Sequence, residues 1–161
     1  MTRSIVTVYL TVFLALASLL AGCGSEAESP SIALTMAPLI DPNTASEAQL
    51  GTVPGLTGPA VAAIMAGRPF ATPSALHAAI GEDLGADDQQ ATYSVLFIKV
   101  GLNSGAEDDY KLIPSSLSPG KLAHEFEEYR PYESLDQFRR EMAKYVSEEE
   151  VAHLSRYVTL D

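Results

Sequence analysis

Ile40-Asp41-Pro42-Asn43-Thr44-Ala45-Ser46-Glu47-Ala48-Gln49-Leu50, followed two residues later by Val53-Pro54-Gly55-Leu56-Thr57-Gly58-Pro59, is the stretch on which the fold turns. Thr44 with Glu47 has the spacing of a capping box and opens a helix that runs through Leu50 to Thr52. Val53 to Pro59 is a turn, and Pro59 suits the first turn of a second helix reaching about Gly67. Ala62, Ala63 and Ala66 are small enough to let another helix approach closely. Thr72-Pro73 starts a third helix, which Gly81 ends. Asp87 to about Val100 reads as a fourth helix, with a strand over Val95 to Val100 as the alternative, and Gly101-Leu102-Asn103 closes the unit.

The pattern then recurs. Arg68-Pro69-Phe70-Ala71-Thr72 matches Arg130-Pro131-Tyr132-Glu133-Ser134 at a spacing of 62, where Ile64 also meets Phe126, Leu76 meets Phe138 and Ile80 meets Met142. Leu96, Val100, Leu102 and Asn103 match Leu154, Val158, Leu160 and Asp161 at a spacing of 58. Aromatic, proline and cap residues recurring in phase indicate a duplicated unit of about 60 residues. The first unit is assigned to 40–103 and the second to 110–161, with 104–109 as an acidic linker.

The opening stretch closely resembles the helix-hairpin-helix domain of the competence DNA receptor (ComEA-like) family. The Asn-Thr-Ala start, the Pro-Gly turn and Arg68 at the end of the next helix carry that likeness. The second unit resembles the later part of the pattern through Tyr132 to Phe138, Val146 to Val151, Leu154 and Tyr157 to Leu160. The resemblance covers roughly residues 40–161 and implies an all-α fold of two tandem small helix-hairpin-helix units. It also implies a ligand site. In that family hairpin glycines let the backbone approach a DNA phosphate, which amides at the following helix start then bind. The candidate hairpin here is Gly55, Leu56, Thr57, Gly58 and Ala60, with Arg68 and Arg130 as secondary candidates.

Several residues depart from the family pattern. Thr57 replaces the second hairpin glycine, and Gly58 falls one place later. Ala60 and Val61 stand where a cation is often found. The other turns, Gly81 to Gly85, Pro114 to Ser118 and Tyr145 to Glu150, are degenerate, and two of them carry acids. Residues 40–103 hold only Arg68 and Lys99 against six acids, and residues 110–161 hold seven cations against ten acids. DNA affinity grows with the number of cations placed on phosphates, and neither unit offers a basic stripe.

The first 22 residues read differently. Arg3 precedes an apolar run from Ile5 to Leu20, too short for a free-standing span and typical of a secretory signal. Leu20-Ala21-Gly22-Cys23 follows at once. This resembles a bacterial lipoprotein signal, in which Cys23 is lipidated and becomes the first residue. Several acyl chains would hold the protein at a bilayer at about 0.8 kcal/mol per buried CH2. Gly24 and Ser25 follow, with no aspartate, which by resemblance to enterobacterial sorting permits delivery to the outer membrane. Residues 23–39 then read as a lipidated, flexible tether. Loss of Arg3 with the signal takes the net charge from -11 to -12. Such a surface repels phosphate backbones and anionic headgroups. A saline habitat selects acidic surfaces too, and composition leaves both causes open.

No constellation points to chemistry. His77, His124 and His153 are scattered singly, and Cys23 is the one cysteine, so a metal or nucleophile site has no partners. Glu148-Glu149-Glu150 after Ser147 fits a helix N-terminus with a second capping box. Arg139, Arg140 and Lys144 form the only basic cluster, with Asp136 and Glu141 within one turn, and local ion pairing is the better account. Arg68 and Arg130 read as helix-end residues completing carbonyls. The sequence therefore predicts a lipid-anchored, non-enzymatic binding module of the bacterial cell envelope, on the periplasmic or extracellular side. It would need no cofactor or metal and would dock an envelope protein. DNA capture through the 55–60 hairpin is the alternative, and net charge disfavours it.

Overall fold

The computed structural model describes residues 38–161. The signal, Cys23 and the tether up to residue 37 lie outside the described residues. The chain is mostly helical. The helices are α1 (Glu47–Leu50), α2 (Gly58–Gly67), α3 (Pro73–Ile80), α4 (Ala86–Tyr93), α5 (Glu107–Lys111), α6 (Pro119–Glu128), α7 (Leu135–Met142) and α8 (Glu148–Leu154). A 3-10 turn, Gly81–Asp83, precedes α4, and two short strands, β1 (Val100–Gly101) and β2 (Val158–Thr159), pair in parallel.

Side-chain caps start most of these short helices. Thr57, Thr72, Ser134 and Ser147 each accept the backbone N–H three residues on, satisfying a donor the helix itself cannot pair. Pro59, Pro73 and Pro119 stand in the first turn of their helices, where a missing N–H costs nothing. α1 is opened by Ser46 and not by Thr44. Ser46 Oγ accepts Gln49 N at 3.2 Å, and Gln49 Oε1 accepts Ser46 N at 2.9 Å. Thr44 instead belongs to a turn that Asp41 organises, its N–H donating to Asp41 O at 3.2 Å. At α8 only half of the expected box forms, because the Glu150 carboxylate reaches a different loop.

One arrangement occurs twice. Asn43 Nδ2 donates to Phe70 O at 2.9 Å while its Oδ1 accepts Phe70 N at 2.7 Å. Asn103 treats Tyr132 alike, at 3.1 and 2.7 Å. Each clasp ties the loop before a first helix to the residue after an Arg-Pro pair, and both Arg-Pro bonds are cis. Just ahead of each asparagine lies a strand residue with a parallel partner: Ile40 bridges Leu96, and Val100 pairs with Val158. By role, Asn43 therefore corresponds to Asn103, and Leu96 to Val158. The 58-residue offset seen in the sequence matches β1 with its own hydrogen-bonding partner β2.

The other differences follow from this. The helix expected over Asp87 to Val100 stops at Tyr93, and the strand alternative is met only at its ends, where Leu96 makes an isolated parallel bridge to Ile40 and Val100 begins β1. Residues 100–103 open the second half and do not close the first. The stretch 104–109, expected as a linker, enters α5, and Asp109 within it is buried. Asp109 Oδ1 accepts Ser74 N at 2.9 Å and Ser74 Oγ at 2.6 Å, joining α5 to the start of α3.

A continuous core runs through both halves. Phe126 touches Tyr110 and Phe138 edge-on at 5.0 Å, and Tyr132 packs on Phe138 at 5.8 Å. Phe97 stacks edge-on between Tyr93 at 5.9 Å and Tyr157 at 5.0 Å, so an aromatic from the first half meets one from the second. Each such fully buried side chain stabilises the fold by roughly 1.5–3 kcal/mol. Burial pushes the Tyr93 and Tyr157 hydroxyls up to about 12.

Candidate functional site

The first hairpin connects α1 to α2. Val53 and Ala60 are buried and Leu56 packs on the core, which leaves Thr57, Gly58 and Pro59 exposed. Gly55 has φ +77°, a left-handed conformation that glycine adopts without a side-chain clash. A Cβ placed there would lie 2.6 Å from Asp88 O and 3.0 Å from Thr92 Oγ1. The close approach that this glycine permits is therefore to α4 of its own unit. Thr92 Oγ1 donates to Pro54 O at 2.9 Å and fixes the same contact. Gly58 differs: nothing lies within 4 Å of a Cβ built on it.

Half of the hairpin amides are already engaged. Leu56 N donates to Val53 O at 3.2 Å, Ala60 N to Thr57 Oγ1 at 3.3 Å, and Pro59 has none. Of the amides from 56 to 60, those of Thr57 and Gly58 remain. The shallow groove beside them is lined by Glu47, Ala48, Gly51, Val61 and Ala62, which supplies a carboxylate and no cation. α2 itself, Gly58–Gly67, carries no charged side chain, and Met65 on it is 43% exposed.

The corresponding turn of the second half, Pro114 to Ser118, is closed from within. Glu150 Oε1 accepts Ser115 Oγ at 2.9 Å and Ser116 N at 2.9 Å. Ser115 Oγ also accepts Leu117 N at 3.1 Å, and His153 Nε2 lies 2.9 Å from Pro114 O. α8 thus holds this turn as α4 holds the first, by a charged side chain in place of a glycine.

The two arginines face inward. Arg68 Nη2 donates to Ala45 O at 2.7 Å. Arg130 donates from Nε to Leu102 O at 2.8 Å and from Nη2 to Gly105 O at 2.6 Å, and it also contacts the Tyr110 hydroxyl. These carbonyls belong to the loop before the unit's first helix, not to the helix end expected from sequence. Both guanidiniums sit beside the asparagine clasps and reinforce them.

Most other cations meet carboxylates. Lys111 contacts Glu107 at 2.9 Å and Asp108 at 3.1 Å, Lys121 contacts Glu125 at 3.0 Å, Arg139 contacts Asp136 at 2.7 Å, and Lys144 contacts Glu141. Sequence reasoning missed the cluster around Glu125, which brings α6 to the residues after α7. Glu125 is 4% exposed, and the hydroxyls of Tyr129 and Tyr145 are 2.6 Å apart beside it. Lys121 lies over the Tyr145 ring at 5.0 Å and Lys144 over the Tyr129 ring at 4.8 Å. Burial alone would raise the Glu125 pKa, but hydrogen bonds from Lys121 and Tyr145 outweigh it and hold the carboxyl below its ordinary value. Lys121 and Tyr129 each lie four residues from Glu125 on one helical face, but Tyr145 and Lys144 come from beyond α7, and no local spacing signals their approach.

The histidines are placed singly. His77 Nδ1 is 2.8 Å from the Tyr93 hydroxyl, His153 meets Pro114, and His124 lies 3.7 Å from Glu128 on an exposed face. Among the described residues no group of three or more His, Cys, Asp or Glu side chains is placed to hold a metal ion. Among them, too, no helix is long and apolar enough to cross a membrane. No protein-family model, curated protein or solved structure matches this chain.

Proposed function

We propose that the protein is a lipid-anchored, non-enzymatic binding module of the bacterial cell envelope, built of two tandem helix-hairpin-helix units and docking another envelope protein. Cys23 carries the lipid, the tether expected to reach residue 39 ends before it because Leu39 packs on the core, and the helical body is the presented surface. The observation that carries this reading is the disposition of charge. The first hairpin has two uncommitted amides next to Glu47, the second is filled by Glu150, and most cations already face carboxylates. Phosphate contacts need cations to release counterions, and that term supplies most non-specific DNA affinity. Fluorescence anisotropy of the full chain in detergent with duplex DNA at near-physiological salt tests it. The expected result is no saturable binding below about 100 μM, the weak end of non-specific affinity. Micromolar binding would overturn it.

A second reading is kept by one feature. Gly58 opens onto free space at a helix start, as the ComEA-like resemblance requires of a phosphate-binding hairpin. At low salt DNA capture would give measurable binding that Gly58→Val abolishes while the fold survives. Binding that is indifferent to Gly58→Val would remove this reading.

A further inference from the structure

We propose that Glu125, Tyr129 and Tyr145 form a binding site for a trivalent metal ion of the ferric class, held by one carboxylate and two phenolate oxygens. Glu125 sits on α6, Tyr129 follows the last residue of that helix, and Tyr145 comes from the segment between α7 and α8. The Tyr145 hydroxyl contacts the Glu125 carboxylate and lies 2.6 Å from the Tyr129 hydroxyl. Adjacent oxygens of an octahedral site with bonds of about 2.0 Å are roughly 2.8 Å apart, so the phenol pair already has nearly the spacing of two neighbouring ligands. Lys121 takes Glu125 Oε1 at 3.0 Å, whereas Glu125 Oε2 is buried with no hydrogen-bond partner. A buried carboxylate oxygen left without a donor is costly. Here it stands beside two half-buried hydroxyls that solution reaches.

The oxygen set chooses the ion. Carboxylate and phenolate are hard donors, which disfavour soft metals. Together they carry three negative charges, which a trivalent ion neutralises. Hydrogen bonding with Tyr129 and Glu125 pushes the Tyr145 hydroxyl pKa up. A weakly acidifying ion such as Ca2+ or Mg2+ therefore leaves that proton in place, whereas a small, highly charged ion strips it, as metals acidify the groups they bind. Binding is a ligand exchange without electron transfer. The ion bonds to Tyr129 Oη, Tyr145 Oη and Glu125 Oε2, and two phenol protons leave to water. Lys121 and Lys144, over the Tyr145 and Tyr129 rings, have side chains 50% and 54% exposed and can turn into solvent as the site fills. Two of the three donors are phenolic, which sets the site apart from the histidine, cysteine and carboxylate groupings absent among the described residues. It lies outside both hairpin turns and is independent of the docking role proposed above.

Titration of the full chain in detergent with iron(III) nitrilotriacetate tests the site. A phenolate-to-iron charge-transfer band should grow in the visible and saturate at one ion per chain, and excess Mg2+ should not displace it. Tyr129→Phe, Tyr145→Phe and Glu125→Gln should each weaken binding at least about tenfold, as for loss of one ligand. The double variant Tyr129→Phe with Tyr145→Phe should show no band. Absence of a band in the parent chain, a band that persists in the double variant, affinity indifferent to Glu125→Gln, or displacement by Mg2+ would overturn the proposal. If the double variant does not fold, resonance Raman scattering of the iron-loaded parent chain still decides. Excitation within the band should enhance tyrosine ring modes, and a band without them would equally overturn it.

Discussion

Replacing Arg130 by methionine tests whether the arginine after α6 serves the fold or a ligand. The methionine retains most of the stem and deletes the guanidinium. Leu102 O and Gly105 O lose charged donors now at 2.8 and 2.6 Å. Each half-buried carbonyl left without its donor costs roughly 1–2 kcal/mol. Tyr110 suffers less, because its hydroxyl still donates to Gly101 O at 2.6 Å. The Glu127 pair, at 3.6 Å with both side chains partly exposed, adds little. The expected loss is about 3 kcal/mol, or roughly 10 °C in Tm for a domain of this length. Thermal unfolding followed by far-UV circular dichroism measures it, with Arg140→Met, on an exposed position, as the control that should stay within about 0.5 kcal/mol. A loss for Arg130→Met no larger than the control's would refute the assignment of this side chain to the clasp.

Three further outcomes are expected. Asn43→Ala and Asn103→Ala should each cost about 2 kcal/mol, since each deletes two hydrogen bonds to backbone, and chemical denaturation should find the two losses similar. Gly55→Val should cost roughly 3 kcal/mol or more, because it combines a positive φ with a contact 2.6 Å from Asp88 O, whereas Gly58→Val should leave Tm nearly unchanged. Acid should erode stability through Glu125 and Asp161. Both carboxyls are held below their ordinary values, Glu125 by the Lys121 and Tyr145 hydrogen bonds that overcome its burial, Asp161 chiefly by hydrogen bonds from Ser104 and the Asn103 amide. A group whose folded pKa is depressed contributes stability present above its unfolded value and lost as pH falls through the folded one. The decline should therefore begin near the ordinary values of 4.5 and 3.8 and continue below them, and Glu125→Gln should flatten it.

Much of the helical architecture was legible because its signals are local. The Thr72-Pro73 start, the Gly81 stop, Pro59 in a first turn and the Arg139–Asp136 pair all depend on residues within one or two turns of each other. Errors arose where two local signals competed or where the partner was distant. Thr44 and Ser46 both suit a cap, and Asp41 takes Thr44 into its own turn. Val95 to Val100 satisfies helical and extended patterns alike, and pairing with Ile40 across the unit decides between them. The turn from Val53 to Pro59 does join α1 to α2, but the role of Gly55 was not readable, since only the folded structure brings Asp88 against it. Glu150 was recognised as a helix-start residue. Its contact with Ser115 and Ser116, 35 and 34 residues away, left no trace in local spacing.

Amide-resolved hydrogen exchange of the full chain, with and without saturating duplex DNA, reaches the central claim most directly, because it reads the hairpin amides themselves. The account predicts that Ser116 is protected before any DNA is added and that protection from Leu56 to Ala60 is the same in both samples. New protection confined to Thr57 and Gly58 on adding DNA would contradict it.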